Sequence, residues 1–140
     1  MKPRLAALIA ILFVCCGGDL LWLGFAARDF YASRLGALLR PEPNWTPAAL
    51  FYALYAFGLL VFCVTPALVT RSWREALARG ALLGLVAYAT YDLSNLATLQ
   101  GWPLAVAVAD ITWGAALSAV AALAGYAAAT LSTRPATRRR

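Results

Sequence analysis

Four apolar stretches, each about 20 residues or longer, run through the chain at residues 5–25, 48–69, 76–98 and 103–131. A hydrocarbon core of roughly 30 Å needs about 20 helical residues at 1.5 Å each, so every stretch predicts a transmembrane helix. Between the first two the pattern changes. Phe30, Tyr31, Leu35, Leu38 and Leu39 recur at helical spacing among Arg28, Asp29, Arg34 and Arg40. That predicts a short amphipathic helix lying at the interface. Pro41, Pro43 and Pro47 then forbid regular structure. Thr46 and Pro47 read as cap and first-turn pair for the next helix, with Trp45 at headgroup depth.

In the second stretch Phe51, Tyr55, Gly58 and Phe62 line one face, with Tyr52 and Leu59 beside it. Pro66 sits where the helix should bend or end. The connection over residues 70–75 is short, which makes the second and third helices antiparallel neighbours. A tight turn at Gly101-Trp102-Pro103 opens the fourth. The expected fold class is an all-α membrane protein. Four transmembrane helices form an up-down-up-down bundle, with a short interfacial amphipathic helix between helices 1 and 2. Residues 1–131 make one domain, and 132–140 a basic, disordered tail.

Composition agrees with this class. The 140 residues leave room for one domain, and they are 63% hydrophobic and 13% charged. Soluble proteins have about 45–50% and 25% respectively. The basic start followed by an apolar run resembles a signal peptide. However, the run exceeds the usual apolar region of about 7–15 residues and carries Asp19, so it reads as an uncleaved span. The net charge of +6 comes mostly from arginine. Lys2, Arg4, Arg71, Arg74, Arg79 and the tail residues Arg134, Arg138, Arg139 and Arg140 fall on one side of such a bundle. Only Arg28, Arg34 and Arg40 fall on the other, partly balanced by Asp29 and Glu42. The positive-inside rule then puts both termini in the cytoplasm of a bacterial inner membrane. The arginines read as topology determinants facing anionic lipid, and no nucleic-acid partner is expected. With no histidine in the chain, His-ligated haem, His-bound zinc and the Ser-His-Asp and Cys-His mechanisms are excluded. Cys15 and Cys16 are adjacent and cannot form an ordinary bridge, and with Cys63 they read as apolar filler. No cofactor is expected.

Polar chemistry collects around residues 88–95 of the third stretch. On a helix Gly80, Gly84, Tyr88 and Asp92 follow at i+4, with Tyr91, Asn95 and Thr98 in the adjacent row. A carboxyl in hydrocarbon costs roughly 2.5–3.5 kcal/mol on insertion scales, so Asp92 should face protein or trapped water. Asp19 and Asp110 lie in two other apolar stretches. Counted at 1.5 Å per residue, Asp19, Asp92 and Asp110 fall roughly 20–24 Å from the inner boundary, in one thin slab. Trp22 follows Asp19, and Trp113 follows Asp110, each by one helical turn. The spacing Asp-Leu-x-x-Leu recurs at Asp19 and Asp92, the trace that a two-plus-two duplication would leave.

Two readings of these acids compete. They hold helices together as hydrogen-bonded glue with indole, phenol and amide groups. Alternatively they line a ligand-binding or proton-handling cavity formed by Asp19, Trp22, Tyr88, Tyr91, Asp92, Asn95, Asp110 and Trp113. Hard-cation binding would need more oxygen ligands than three Asp and an Asn supply, so no metal is expected. Gly80 and Gly84 form a small-xxx-small patch for close helix contact, expected to serve a homo-oligomer or another membrane partner.

The strings that carry this chemistry resemble a known family. Asp19-Leu-Leu-Trp22-Leu-Gly24, Pro43-Asn44-Trp45, Tyr52-Ala-Leu-Tyr55, the run 87–98, Gly101-Trp102-Pro103 and Asp110-Ile-Thr-Trp113-Gly114 are similar to small bacterial four-span membrane proteins. That family is known as a domain of unknown function, number twenty-one seventy-seven. The resemblance covers about residues 5–130; it implies the membrane class and no activity. Among functions, lipid or hydrophobic-ligand handling at an outer-leaflet cavity leads, with membrane lipid as the partner. A small proton-coupled transporter acting as an oligomer is the alternative. A non-catalytic membrane subunit or scaffold with structural Asp is the third. Whether the chain is an enzyme is left open.

Overall fold

The helix with the smallest side chains takes the central place. In a computed structural model, which describes residues 2–133, the chain folds almost entirely into helix, with no strand among the described residues. Helix α1 (Lys2–Leu21) runs on through a π-helical turn, Trp22–Ala26. A short α2 (Arg28–Leu35) follows, with a 3-10 turn at Gly36–Leu38. Helix α3 (Trp45–Leu59) passes through a second π-helical turn, Leu60–Val64, into α4 (Thr65–Thr70). Two long helices complete the chain, α5 (Trp73–Thr98) and α6 (Leu104–Ser132).

α6 is rich in Ala, Gly and Ser, and it packs on α1 along one side and on α5 along the other. Small residues let helix backbones approach closely, which is how helices gain contact without bulky interlocking. A Cβ on Gly80 would press on the Ser118 carbonyl, and one on Gly84 would collide with the Gly114 carbonyl and the Ser118 side chain. Gly114 in turn lies under the ring of Tyr88. The small-residue face that the sequence offers to an outside partner is therefore filled inside the chain by α6. Gly125 gives room to Ile11 and Val64.

These pairings also set direction. Gly80 meets residues 118–122 and Gly84 meets 114–118, so α5 and α6 are antiparallel. Ile11 meets Gly125 while Asp19 meets Trp113, so α1 and α6 are antiparallel too. Tyr55 meets Ser118 and Val64 meets Gly125, so α3 runs with α6. The helices thus alternate in the expected sense. Three segments, Lys2–Ala26, Trp45–Thr70 and Leu104–Ser132, are long and apolar enough to cross a membrane. α5 has 26 residues, a sufficient length, but the charged residues of its first turns and the polar run over 88–98 leave it outside that class.

The two ends of the bundle differ. At the end holding Lys2 and Ser132 the interior is closely packed, with Ala7, Ile11, Leu59, Val64, Ala122 and Ala129 all buried. At the other end the buried apolar cluster is small, formed by Ala27, Tyr31 and Val106 with Trp22, Phe30, Leu35 and Trp102 around it.

Local structure departs from the sequence expectations in several places. The cap of α3 is Asn44, whose side chain accepts from the Thr46 N–H at 3.2 Å, and Thr46 already lies inside the helix. Asn and Asp at that position are as effective as Ser, and its backbone is extended there. Pro66 does not end its helix. The ladder bond that its missing N–H cannot make is absorbed by the π-helical turn just before it, and the helix continues to Thr70. A helix does form after α1, but it is only eight residues long, and Leu38 and Leu39 fall outside it. Its buried residue is Tyr31, turned into the bundle. Of the basic tail, residues 134–140 lie outside the described residues; Ser132 closes α6.

Candidate functional site

The open end of the bundle contains a cavity of about 710 Å³. α1 contributes Asp19, buried to 7% exposure among apolar neighbours. A carboxyl there must be hydrogen-bonded, because an unpartnered charge in low dielectric is far costlier than a bonded one. Asp19 Oδ2 accepts from the Tyr52 hydroxyl at 2.9 Å, and Oδ1 accepts from the Trp113 indole N–H at 2.9 Å. Three helices are joined at that one carboxyl. Asp110, on α6, accepts through Oδ1 from the Tyr31 hydroxyl. Tyr31 in turn accepts from the Trp22 indole N–H at 3.1 Å. Burial first, and then the bond to Asp110, pushes the Tyr31 phenol above its usual range, so it stays protonated and remains a donor. Oδ2 of Asp110 has no hydrogen-bond partner among the described residues, and it is not sealed from the cavity.

The tryptophans exchange partners. Each lies one turn from an Asp on its own helix, yet Trp113 serves the acid of α1, and Trp22 serves the acid of α6 through Tyr31. The antiparallel crossing of α1 and α6 explains this. It brings the two rings face to face, 4.6 Å apart and 7° from parallel; the Trp113 N–H reaches across to α1, and the Trp22 N–H reaches Tyr31 of α2, which donates to Asp110 of α6.

Asp92, the acid at the centre of the polar run, occupies a different place. It is fully buried and does not line the cavity. Oδ1 accepts from the Trp102 indole N–H at 3.3 Å. Oδ2 is the one buried side-chain oxygen without a partner among the described residues. Trp102, which donates the bond to Oδ1, is itself a lining residue, and its ring stands edge-on to Tyr91 at 5.8 Å. Asn95 is half-buried and is likewise not a lining residue. Of the eight residues named from the sequence, Asp19, Trp22, Tyr88, Tyr91, Asp110 and Trp113 line the cavity. No three described Asp, Glu or Cys side chains converge as metal ligands.

Several lining residues escaped the sequence reading as site residues. The sequence pattern sets Tyr52 beside an aromatic packing stripe, Tyr31 in an interfacial helix and Trp102 in a turn. Their signal was the polar tip each carries in an apolar setting, since a buried Tyr or Trp seeks a partner for its O–H or N–H. Arg28 and Arg40 also line the cavity, both solvent-exposed at its rim, and neither forms an ion pair among the described residues.

A second space adjoins the first. It is an apolar groove of about 410 Å³ walled by Phe51, Tyr55, Ala87, Tyr88 and Tyr91. Phe51, Tyr88 and Tyr91 line both spaces, so the two adjoin across these side chains. α5 packs against the π-helical turn and α4 rather than closely along α3, which leaves the groove between α3 and α5. Tyr55 spans the base of that gap, edge-on to Tyr88 at 6.3 Å and bonded to Ser118 Oγ at 2.6 Å.

The arrangement can hold a molecule with a polar group among fixed acceptors and an apolar part in the groove. No curated protein and no solved structure matches the chain. The family described as "Predicted membrane protein (DUF2177)" matches residues 4–127, from the first turn of α1 to the last part of α6 and so across every element of the site; the chain belongs to that family.

Proposed function

We propose that this protein is a four-span inner-membrane protein that admits a lipid laterally between α3 and α5 and holds its polar group in the cavity of Asp19 and Asp110. The observation that carries this reading is that a cavity holding two carboxyls and an apolar groove share one wall, formed by Phe51, Tyr88 and Tyr91. Binding sites for amphiphiles need both surfaces in contact, and cavities of about 300–1,000 Å³ are the usual size for small ligands. α5 counts as the fourth span because the carboxyl in its apolar stretch, Asp92, is buried inside the bundle together with Gly80 and Gly84. α2 then lies at the membrane surface as the lid of the cavity, held by Tyr31. The many basic residues near Lys2 and the turn at Arg71 favour a cytoplasmic location for the closely packed end. The cavity then opens toward the outer leaflet.

The test is lipid retention. The full chain purified in mild detergent should carry lipid detectable by mass spectrometry. Ala87→Trp, which fills the groove without touching the acids, should remove most of it. Equal lipid content in the wild type and the Ala87→Trp variant, at equal thermal stability, would overturn the reading.

A further inference from the structure

The site is ordered by charge. Its inner wall presents acceptors and aromatic faces: Asp19, Asp110 and the stacked Trp22–Trp113 pair. Its rim presents two cations, Arg28 and Arg40. Beyond the aromatic divide lies an apolar groove. A ligand that matches all three would be cationic at its tip, anionic one step back and apolar beyond. Resting on the lipid reading above, we infer that the occupant is a zwitterionic phospholipid whose headgroup ends in a primary ammonium.

Each part of that molecule meets a suitable group. A primary ammonium has N–H donors to give and no acceptor. Asp110 Oδ2 is an acceptor without a partner among the described residues, and each oxygen of Asp19 has a second lone-pair site beyond the bonds from Tyr52 and Trp113. Aromatic faces attract a cation through the ring quadrupole. The phosphate would sit outward, where Arg28 and Arg40 can offer charge-assisted bonds. The acyl chains would leave between α3 and α5. Two alternatives fit less well. A purely anionic headgroup would bring a negative charge against two carboxyls. A quaternary ammonium would satisfy the rings but leave Asp110 Oδ2 without a donor.

Competition among headgroups tests this. The full chain would be equilibrated with vesicles holding equimolar phosphatidylethanolamine, phosphatidylglycerol and phosphatidylcholine, re-isolated, and its bound lipid counted by mass spectrometry. The ethanolamine lipid should be retained about tenfold over either competitor, the worth of one charge-assisted bond at about 1.4 kcal/mol per tenfold. Asp110→Asn should erase that preference while total lipid persists. The joint Arg28→Gln, Arg40→Gln variant, at exposed positions that leave the fold intact, should lower retention of all three. Should Asp110→Asn fail to fold, N-acetylated phosphatidylethanolamine offered to the wild type makes the same test, because it keeps the phosphate and loses the ammonium; it should be excluded. Equal retention of all headgroups, preference for phosphatidylglycerol, or binding of the N-acetylated lipid on a par with its parent would overturn the headgroup assignment and leave the lipid site standing. No retention of any lipid would instead overturn the parent reading.

Discussion

At the scale of single residues, the three acids set in the long helices separate into two kinds. Asp19 and Asp110 line the cavity, while Asp92 is sealed behind Trp102. Replacing each by Asn keeps shape and hydrogen-bonding capacity but removes the negative charge. Asp92→Asn should therefore leave the headgroup preference of the bound lipid unchanged, whereas Asp19→Asn and Asp110→Asn should each weaken it. Loss of that preference in Asp92→Asn at wild-type stability would show that the division is wrong. The tyrosine that reaches Asp110 supplies a second prediction. Tyr31→Phe deletes the donor to Asp110 and the acceptor of Trp22 in one step. Intramembrane hydrogen bonds average about 0.6 kcal/mol and reach about 1.7, so thermal stability should fall within that range per bond. Ser33→Ala, which removes only an exposed bond to the Phe30 carbonyl, is the control and should be silent.

At the scale of elements, the contacts of α6 decide which glycines matter. Gly84→Ala would drive a methyl into the Gly114 carbonyl and Ser118 and should destabilise by roughly 1–3 kcal/mol, as overpacking does. Gly17→Ala, also helical, meets nothing within 4 Å and should stabilise by about 0.5–1 kcal/mol through backbone entropy. Thermal unfolding in one detergent compares them, and equal effects would contradict the packing described here. The turn joining α4 and α5 makes a pH prediction. The Arg71 backbone closes α4 in the left-handed region, and Ser72 caps α5 by accepting from the Glu75 N–H. The Glu75 carboxylate accepts from Thr70 and, at 2.7 Å, from Arg79. The Thr70 bond first, and then Arg79, hold Glu75 below the ordinary carboxylate range. A carboxyl whose pKa is lower folded than unfolded adds stability above its unfolded value and loses it as pH falls through the folded one. Acidification below about pH 4.3 should thus loosen this turn, and Glu75→Gln should flatten that part of the stability profile. The effect is small, because the pair is exposed.

At the scale of the molecule, a closely packed end and an open end sit back to back. A reporter fused after Arg140 should read cytoplasmic, and one inserted among residues 41–46 should read periplasmic; the reverse would turn the cavity toward the inner leaflet. Transport makes a contrasting demand, since a substrate would have to cross the end where Ile11, Leu59, Val64 and Ala122 are buried together. Proteoliposomes under a pH gradient should show no uptake beyond empty vesicles. Gradient-driven accumulation would favour the small transporter over the lipid site.

The sequence by itself determined the class and the elements. Runs of about 20 apolar residues can satisfy their backbone only as helices in lipid, and short connections force neighbours to alternate. It also located the polar residues, because a carboxyl among apolar neighbours stands out wherever the chain folds. Only the tertiary structure decided how they are used. Gly80 and Gly84 read the same on paper whether α6 or another chain fills them. The Asp-to-Trp spacing is identical for a pair within one helix and for the crossed pairs found here, since the crossing of α1 and α6 sets which indole reaches which acid. Asp92 dominated the linear pattern yet ended behind Trp102, while Tyr31, Tyr52, Arg28 and Arg40 arrived at the cavity from segments whose periodicity spoke only of packing or topology. Periodicity reports which face of a helix is apolar; what stands opposite that face depends on the angle and register of its neighbours, which are fixed by side-chain volumes meeting across the bundle.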